Sequence, residues 1–158
     1  MTRPMRGDVL LLRSGGTPRD RLVAWATGGP FTHIEVDLGD GTTIGSHQKD
    51  GVAYRPWRTP ERFVIIPVSQ RAPAEKIEAG IAWLKTQLGH PFSWASMGDF
   101  IMPEWLATTI FGRKAIYNCA NLVAHYLMLT GGLEIRHGKR PPMILSPNDI
   151  ARSAGLLM

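Results

Sequence analysis

The chain has 158 residues with an ordinary globular composition, 44% hydrophobic and 20% charged, so we expect a single folded domain over residues 1–158. Its one cysteine excludes an internal disulfide and any zinc site built from several cysteines. The formal charge of +5 suits an anionic partner such as a cell-wall polymer or an anionic lipid, whereas the scattered Lys and Arg residues do not favour nucleic acid.

The sequence also bears on location. Residues 1–8 lack the apolar stretch and small-residue cleavage site of a signal peptide. No uncharged apolar stretch reaches the roughly 18 residues that a membrane span needs. We therefore expect a protein without a signal peptide or transmembrane segment, which is cytoplasmic, released by lysis or associated with a phage.

The first half of the chain has the patterns of an antiparallel sheet. A short helix is predicted at Arg21–Ala26. Strict alternation after Pro30 and the turn at Gly39–Gly41 predict a hairpin. In its first strand, Ile34, Val36 and Leu38 share one side, and His33, Glu35 and Asp37 share the other. The predicted strands are Val9–Leu12, Phe31–Leu38, Thr42–His47, Gly51–Arg55 and Phe63–Val68.

The second half is helical, with less regular segments at 92–115 and 133–145. The spacing of Ile77, Ile81, Leu84 and Leu88 predicts a helix with one buried face. A second helix follows Asn118, a good N-cap residue, and ends at Gly131-Gly132. A third starts with the cap signature Ser146-Pro147-Asn148-Asp149 and runs to about Ala154.

The cysteine lies where the second of these helices begins. A thiol in the first turn of a helix is close to unpaired N–H groups and to the positive end of the helix dipole, and both favour the thiolate. The same N–H groups can receive an oxyanion. Cys119 is therefore a candidate nucleophile, and the alternative interpretation is a buried structural cysteine.

A cysteine nucleophile needs a base, and usually a group that orients the base. His33 opens the alternating strand and is the candidate base, while His47 lies close to it once the hairpin forms. In the alternative interpretation, His33 is a solvated strand residue and His47 a turn residue. Glu35 shares the His33 face and could tune the site, but we favour a solvated strand carboxylate. We interpret His125 as structural and His90 as a turn residue.

Several motifs resemble a known family. The sheet of NlpC-type papain-like cysteine hydrolases is similar to the runs Gly7-Asp8-Val9-Leu10, Thr32-His33-Ile34-Glu35-Val36-Asp37-Leu38-Gly39-Asp40-Gly41 and Gly51-Val52. Here the cysteine motif Tyr117-Asn118-Cys119-Ala120-Asn121-Leu122-Val123 follows the histidine motif, and the late Ser146-Pro147-Asn148-Asp149 comes after both. That order resembles the circularly permuted branch, which includes lecithin:retinol acyltransferase-like proteins and bacterial YiiX-like hydrolases. The resemblance extends from about Gly7 to Ala154.

The resemblance implies an α+β papain-like fold of the permuted NlpC type, in which an antiparallel sheet packs against the helix that carries the cysteine. It implies that Cys119 is the nucleophile, with its backbone N–H in the oxyanion hole, and that His33 is the general base. The third position departs from the family, because Gly45 stands where the second strand usually places a polar residue. We expect His47 to fill that role, with Gln48 and Ser46 as the other options.

The expected function is a cysteine hydrolase that forms an acyl-enzyme, with neither a cofactor nor a metal ion. The expected substrate is an amide in a peptide or in a peptidoglycan stem peptide, as in most relatives of this family. One alternative is a hydrolase or acyltransferase that acts on a lipid acyl group or a thioester. The other is a non-catalytic phage or envelope binding module, which the glycine at position 45 favours and the Cys119–His33 pair does not.

Overall fold

The structure is a computed structural model and describes residues 3–57, 63–92, 118–135 and 145–158. Most of the predicted irregular segments 92–115 and 133–145, together with Tyr117, lie outside these residues. The elements in chain order are β1 (Val9–Arg13), α1 (Pro18–Thr27), β2 (Phe31–Asp37), β3 (Thr42–His47), β4 (Gly51–Pro56), β5 (Phe63–Ile66), a 3-10 turn (Val68–Gln70), α2 (Ala74–Thr86), α3 (Cys119–Thr130) and α4 (Pro147–Ser153).

The fold is α+β, and the described residues form one five-stranded sheet and four helices. The strand order is β4-β3-β2-β1-β5, and each of these pairings is antiparallel. Val36 lies opposite Ile44 in the predicted β2–β3 hairpin. Its turn uses two glycines, Gly39 and Gly41, with φ of 80° and 85°, a region that glycine adopts without steric cost. The predicted antiparallel sheet is confirmed.

Helix α3 packs against β2, β3 and α2 and forms the centre of the core. It begins after Asn118, whose side chain caps it, and ends at Gly131, which has φ of 67°. These are the two ends that the sequence predicts. The residues that α3 buries completely are mostly large and apolar, as expected for a helix between a sheet and another helix; they include Leu122, Val123, Tyr126 and Leu127.

The α2 helix ends two residues earlier than its apolar spacing predicts. It buries Ile77, Ile81 and Leu84 as expected, but it ends at Thr86, with Gln87 as the C-cap. Leu88 follows the cap and is 37% exposed, so including it in the buried stripe is wrong. Spacing alone cannot separate a last helical residue from one just beyond the cap.

The first helix, α1, begins earlier than predicted. Pro18 occupies the first helical turn, and the Thr17 hydroxyl accepts the Asp20 backbone N–H at 3.1 Å. Both features are typical of a helix start, so the predicted loop at Ser14–Pro18 is shorter. Helix α1 contacts β2 and ends at Gly28.

Helix α4 fixes the start of β2 through one side chain. Asn148, which is fully buried, accepts the Phe31 N–H at 3.0 Å through Oδ1. Its Nδ2 donates to the Phe31 carbonyl at 2.9 Å and to the Thr27 hydroxyl at 2.7 Å. Ser146 and Asp149 form a capping box at the start of the helix, as the sequence predicts. Asn148 therefore holds both the N–H and the C=O of Phe31, two residues before His33.

Candidate active site

Cys119 is the first residue of α3 and carries a free thiol. The residue is buried, with 6% of its surface exposed. The preceding Asn118 accepts the Asn121 N–H at 2.7 Å, which fixes the first turn. The Asn121 carboxamide in turn accepts the Leu145 N–H at 3.3 Å, so the segment before α4 is tied to the same turn. The thiol therefore stands in a rigid helix start.

The His33 imidazole lies between a thiol and a carboxylate. Its ring lies beside the Cys119 side chain, and both residues line the same cavity. Its Nε2 is 2.9 Å from Oε1 of Glu35, two residues along the same strand. Because Nε2 is used by Glu35, Nδ1 is the nitrogen that remains for the thiol. A carboxylate on one nitrogen fixes the tautomer and the orientation of the ring towards the other.

Glu35 is not the solvated carboxylate that strand alternation predicts, and that prediction is wrong. The residue is only 8% exposed, and the Thr43 hydroxyl donates to its Oε2 while His33 binds its Oε1. The backbone of Gly45 packs against its side chain and leaves space for it. Alternation separates the two faces of a strand, but it does not reveal that the polar face is also covered.

His47 lies next to the pair but does not make the contact that we expected of it. Its ring centroid is 4.9 Å from that of His33, and its Nε2 is 3.6 Å from Oε1 of Glu35. The hydrogen bond that orients His33 comes from Glu35. Ser46 and Gln48, the other two options, line the same cavity, but the side chain that is hydrogen-bonded to Nε2 of His33 is Glu35.

The two histidines and the glutamate of the site have shifted pKa values. Burial would lower the pKa of His33, but the adjacent Cys119 and Glu35 side chains outweigh it and raise the pKa to about 10. Burial would raise the pKa of Glu35, but His33 and the Thr43 hydroxyl lower it to about 2. Burial and the charge of His33 lower the pKa of His47 to about 4. At neutral pH the site therefore holds an imidazolium, a carboxylate and a neutral imidazole.

A cavity of about 360 Å³ opens beside the thiol. Strands β1 to β4, helices α1 and α3 and the segments after β3 and α2 contribute to its wall. Its wall contains charges of both signs as well as apolar groups: Leu12, Asp20, Val23, Thr32, His33, Ser46, His47, Gln48, Lys49, Arg55, Phe92 and Cys119. A small polar substrate group can therefore reach Cys119 from this side.

Two further histidines lie away from this cluster. The His125 ring stacks on Trp83 with centroids 5.7 Å apart, and its Nδ1 is 2.9 Å from the Asn121 carbonyl. The His90 carbonyl accepts the Val52 N–H at 2.8 Å in the turn after α2. Neither histidine lines the cavity, in agreement with the structural and turn interpretations.

No protein-family model matches the chain, and neither a curated protein nor a solved structure matches it significantly. Within the four described segments, no helix is both long enough and apolar enough to cross a lipid bilayer. Function must therefore be argued from the site itself. The arrangement combines a thiol, an imidazole that bridges it to a buried carboxylate, and a helix start, the groups that thiol-based acyl transfer requires.

Proposed function

We propose that this protein is a cysteine hydrolase of the permuted NlpC-type papain-like kind, which cleaves an amide bond through an acyl-enzyme on Cys119. The observation that carries the proposal is the position of His33, which lies beside the thiol and is hydrogen-bonded through Nε2 to Glu35. A structural cysteine in an apolar core has no need of an oriented imidazole. The packing of the cysteine helix on β2, the strand that carries His33, supports the resemblance.

In the first half of the reaction, the Cys119 thiolate attacks the carbonyl carbon and forms a tetrahedral oxyanion. The His33 imidazolium then donates its Nδ1 proton to the leaving nitrogen, the C–N bond breaks, and a thioester remains on Cys119. In the second half, neutral His33 accepts a proton from water at Nδ1 while the oxygen attacks the thioester. Collapse expels the Cys119 thiolate, releases the acid and restores the thiolate–imidazolium pair. Glu35 acts as the positioning residue for His33.

The start of α3 supplies donors for the oxyanion. The Asn118 side chain accepts the Asn121 N–H, and the backbone carbonyl of Asn118 accepts the Leu122 N–H at 3.2 Å. The N–H groups of Cys119 and Ala120 belong to the first turn, where no helical carbonyl is available to accept them. They are therefore the donors that would stabilise negative charge on the substrate oxygen.

The leading substrate class is a peptide or a peptidoglycan stem peptide. The cavity wall carries Lys49 and Arg55 as well as Asp20, so it can accept both the carboxylate and the amine of a short peptide. The net charge of +5 also favours approach to an anionic cell wall.

The test is alkylation of Cys119 by iodoacetamide at pH 6, where a free thiol with a pKa of about 8.5 reacts slowly. We expect wild-type protein to react at least about tenfold faster than His33→Ala, since the imidazolium stabilises the thiolate. His125→Ala, which removes a histidine outside the site, is the matched control and should react as the wild type does. Peptidoglycan fragments would then be screened, with mass spectrometry to detect the thioester. An alkylation rate that is the same in the wild type and in His33→Ala would overturn the proposal and favour the non-catalytic binding module.

A lipid acyl group is the second candidate, and one observation favours it. Trp25 and Leu22 are 77% and 51% exposed and lie three residues apart on α1, hence on one face. The same helix contributes Asp20 and Val23 to the cavity. An exposed tryptophan on a helix that lines the cavity suits the interface of a membrane.

The two substrate classes are separated by sedimentation with phosphatidylglycerol vesicles. For a lipid substrate we expect the wild type to sediment with the vesicles and to hydrolyse their acyl ester. The double variant Leu22→Gln, Trp25→Gln should then lose both properties but keep the alkylation rate of Cys119. If the wild type stays in the supernatant, the peptide substrate is favoured.

A further inference from the structure

Three side chains of the site also form a possible metal-binding set, and one of them, His47, has no role in the proposed thiol chemistry. One nitrogen of His33, one nitrogen of His47 and one oxygen of Glu35 all lie within 4.8 Å of one another. Nε2 of His47 is buried, yet it has no hydrogen-bond partner in the described part of the chain. A buried polar atom without a partner is costly, and such an atom aimed at a carboxylate needs an explanation.

The geometry points to a binding site for a zinc ion at His33, Glu35 and His47, occupied in place of the proton that His33 shares with Glu35. Two imidazoles and one carboxylate form a donor set that zinc uses with a water in the fourth position. In a tetrahedral site with bonds of about 2.1 Å, neighbouring ligand atoms are about 3.4 Å apart. The observed separations from Oε1 of Glu35 are 2.9 Å to His33 Nε2 and 3.6 Å to His47 Nε2, so small side-chain movements suffice.

The electrostatic balance of the site also suits the ion. A dication bound to one carboxylate and two neutral imidazoles leaves a net charge of +1, compatible with a cavity that is open to water on one side. The backbone frame is fixed, because His33 and Glu35 are two residues apart on β2 and His47 ends the paired strand β3. The three donors therefore need no loop to fold around the metal.

Zinc at this position would inhibit the proposed hydrolase, and this part of the inference rests on the proposed function. The metal bond uses the lone pair of His33 Nε2, so the proton formerly on Nε2 leaves and the neutral ring carries its one proton on Nδ1. That nitrogen faces Cys119 and could then no longer accept the thiol proton. In the zinc-bound protein, His33 is thus held in the tautomer that cannot act as a base towards Cys119. Removal of the ion restores His33 as the base.

Binding is tested by calorimetric titration of the full chain with ZnCl2 after treatment with a chelator. We expect one zinc per chain for the wild type, and an affinity at least about tenfold lower for His47→Ala and for His47→Asn. His125→Ala is the control for non-specific binding by a histidine and should bind as the wild type does. Circular dichroism checks that each variant is folded. Equal affinity for the wild type and both His47 variants would overturn the site.

Cys119→Ser separates this site from the commoner binding of zinc by a thiolate. We expect this variant, which has no nucleophile, to bind zinc as the wild type does, so the result does not depend on the proposed hydrolase. Loss of binding in Cys119→Ser would overturn the three-residue site. The inhibitory part is tested by alkylation of wild-type Cys119, which one equivalent of zinc should slow at least about tenfold and EDTA should restore. An unchanged rate with zinc bound would overturn the inhibition and not the site.

Discussion

The backbone of Gly45 lies so close to the side chain of Glu35 that a Cβ atom at position 45 would be 2.9 Å from Cγ of Glu35. Carbon atoms in good contact are about 3.5–4.0 Å apart, so no larger residue fits there without movement. Gly45 is not among the glycines with positive φ, and its role is therefore spatial. The polar group that the sequence resemblance implies for this strand comes instead from β2, as the carboxylate of Glu35.

Gly45→Ala should therefore disturb the site through Glu35. The added methyl group pushes the carboxylate away from His33, breaks the 2.9 Å contact and slows alkylation of Cys119 at pH 6. Overpacking of this kind also costs about 1–3 kcal/mol of stability. Urea unfolding and the alkylation rate measure the two effects.

Gly80→Ala provides the matched control for that substitution. Its Cβ would lie 2.9 Å from the ring of Tyr126, in the contact between α2 and α3, so it is crowded to the same degree. We expect lower stability with an unchanged alkylation rate. If Gly45→Ala behaves in the same way, Glu35 does not position His33.

Glu35→Gln keeps the size of the side chain and removes its charge. A carboxamide can donate to His33 Nε2, which places the ring proton on Nδ1 and removes the acceptor that faces Cys119. A comparable tautomer reversal in a serine protease lowers kcat by about 10⁴, and we expect alkylation at pH 6 to slow by more than about tenfold. Glu78→Gln, which changes an exposed carboxylate paired with Arg6, should leave the rate unchanged. A wild-type rate in Glu35→Gln would remove Glu35 from the mechanism.

The same carboxylate predicts how stability changes in acid. Although burial would raise it, the pKa of Glu35 falls from 4.5 to about 2 in the folded chain because of His33 and Thr43. A carboxyl group whose pKa is lower in the folded than in the unfolded chain stabilises the fold at every pH above the unfolded pKa. This contribution to the free energy of unfolding disappears as the pH falls from about 4.5 to 2. The full effect is on the order of 3 kcal/mol. Urea unfolding with EDTA present should show that the wild type loses stability relative to Glu35→Gln across this range, and parallel curves would contradict it.

Features that depend on neighbouring residues in the chain could be predicted. The cap at Asn118, the stop at Gly131 and the capping box at Ser146 each depend on side chains within one helical turn, so the sequence places Cys119 correctly at a helix start. The hairpin that brings His33 near His47 follows from alternation and a short turn.

The role of Glu35 required information that alternation does not contain. The polar side of β2 is also covered, since Glu35 and Asp37 are both buried, and periodicity gives no sign of what covers a face. A signal was nevertheless present. Val36 pairs with Ile44, so the hairpin register places Glu35 beside Gly45. A glycine opposite a charged residue on the neighbouring strand indicates that the charged side chain occupies the space above the glycine.

Asn148 shows how a distant residue sets the position of the site, and it gives the last prediction. Its carboxamide makes three hydrogen bonds across 117 and 121 residues of chain, to Phe31 and to Thr27, at the start of the strand that carries His33. Asn148→Ala leaves the Phe31 N–H and C=O buried without these partners. Each such loss costs about 1–3 kcal/mol, so we expect a total of about 2–4 kcal/mol and slower alkylation of Cys119.

Arg152→Ala is the matched control, since it removes a side chain of the same helix that bonds the Gly28 carbonyl at the surface, at 2.6 Å. Its bonds are exposed, so the change in unfolding free energy should stay below about 1 kcal/mol and the alkylation rate should not change. Urea unfolding of both variants measures the difference. Equal destabilisation by the two substitutions would show that α4 is held by general packing, and that the carboxamide of Asn148 does not fix β2 or, through it, His33.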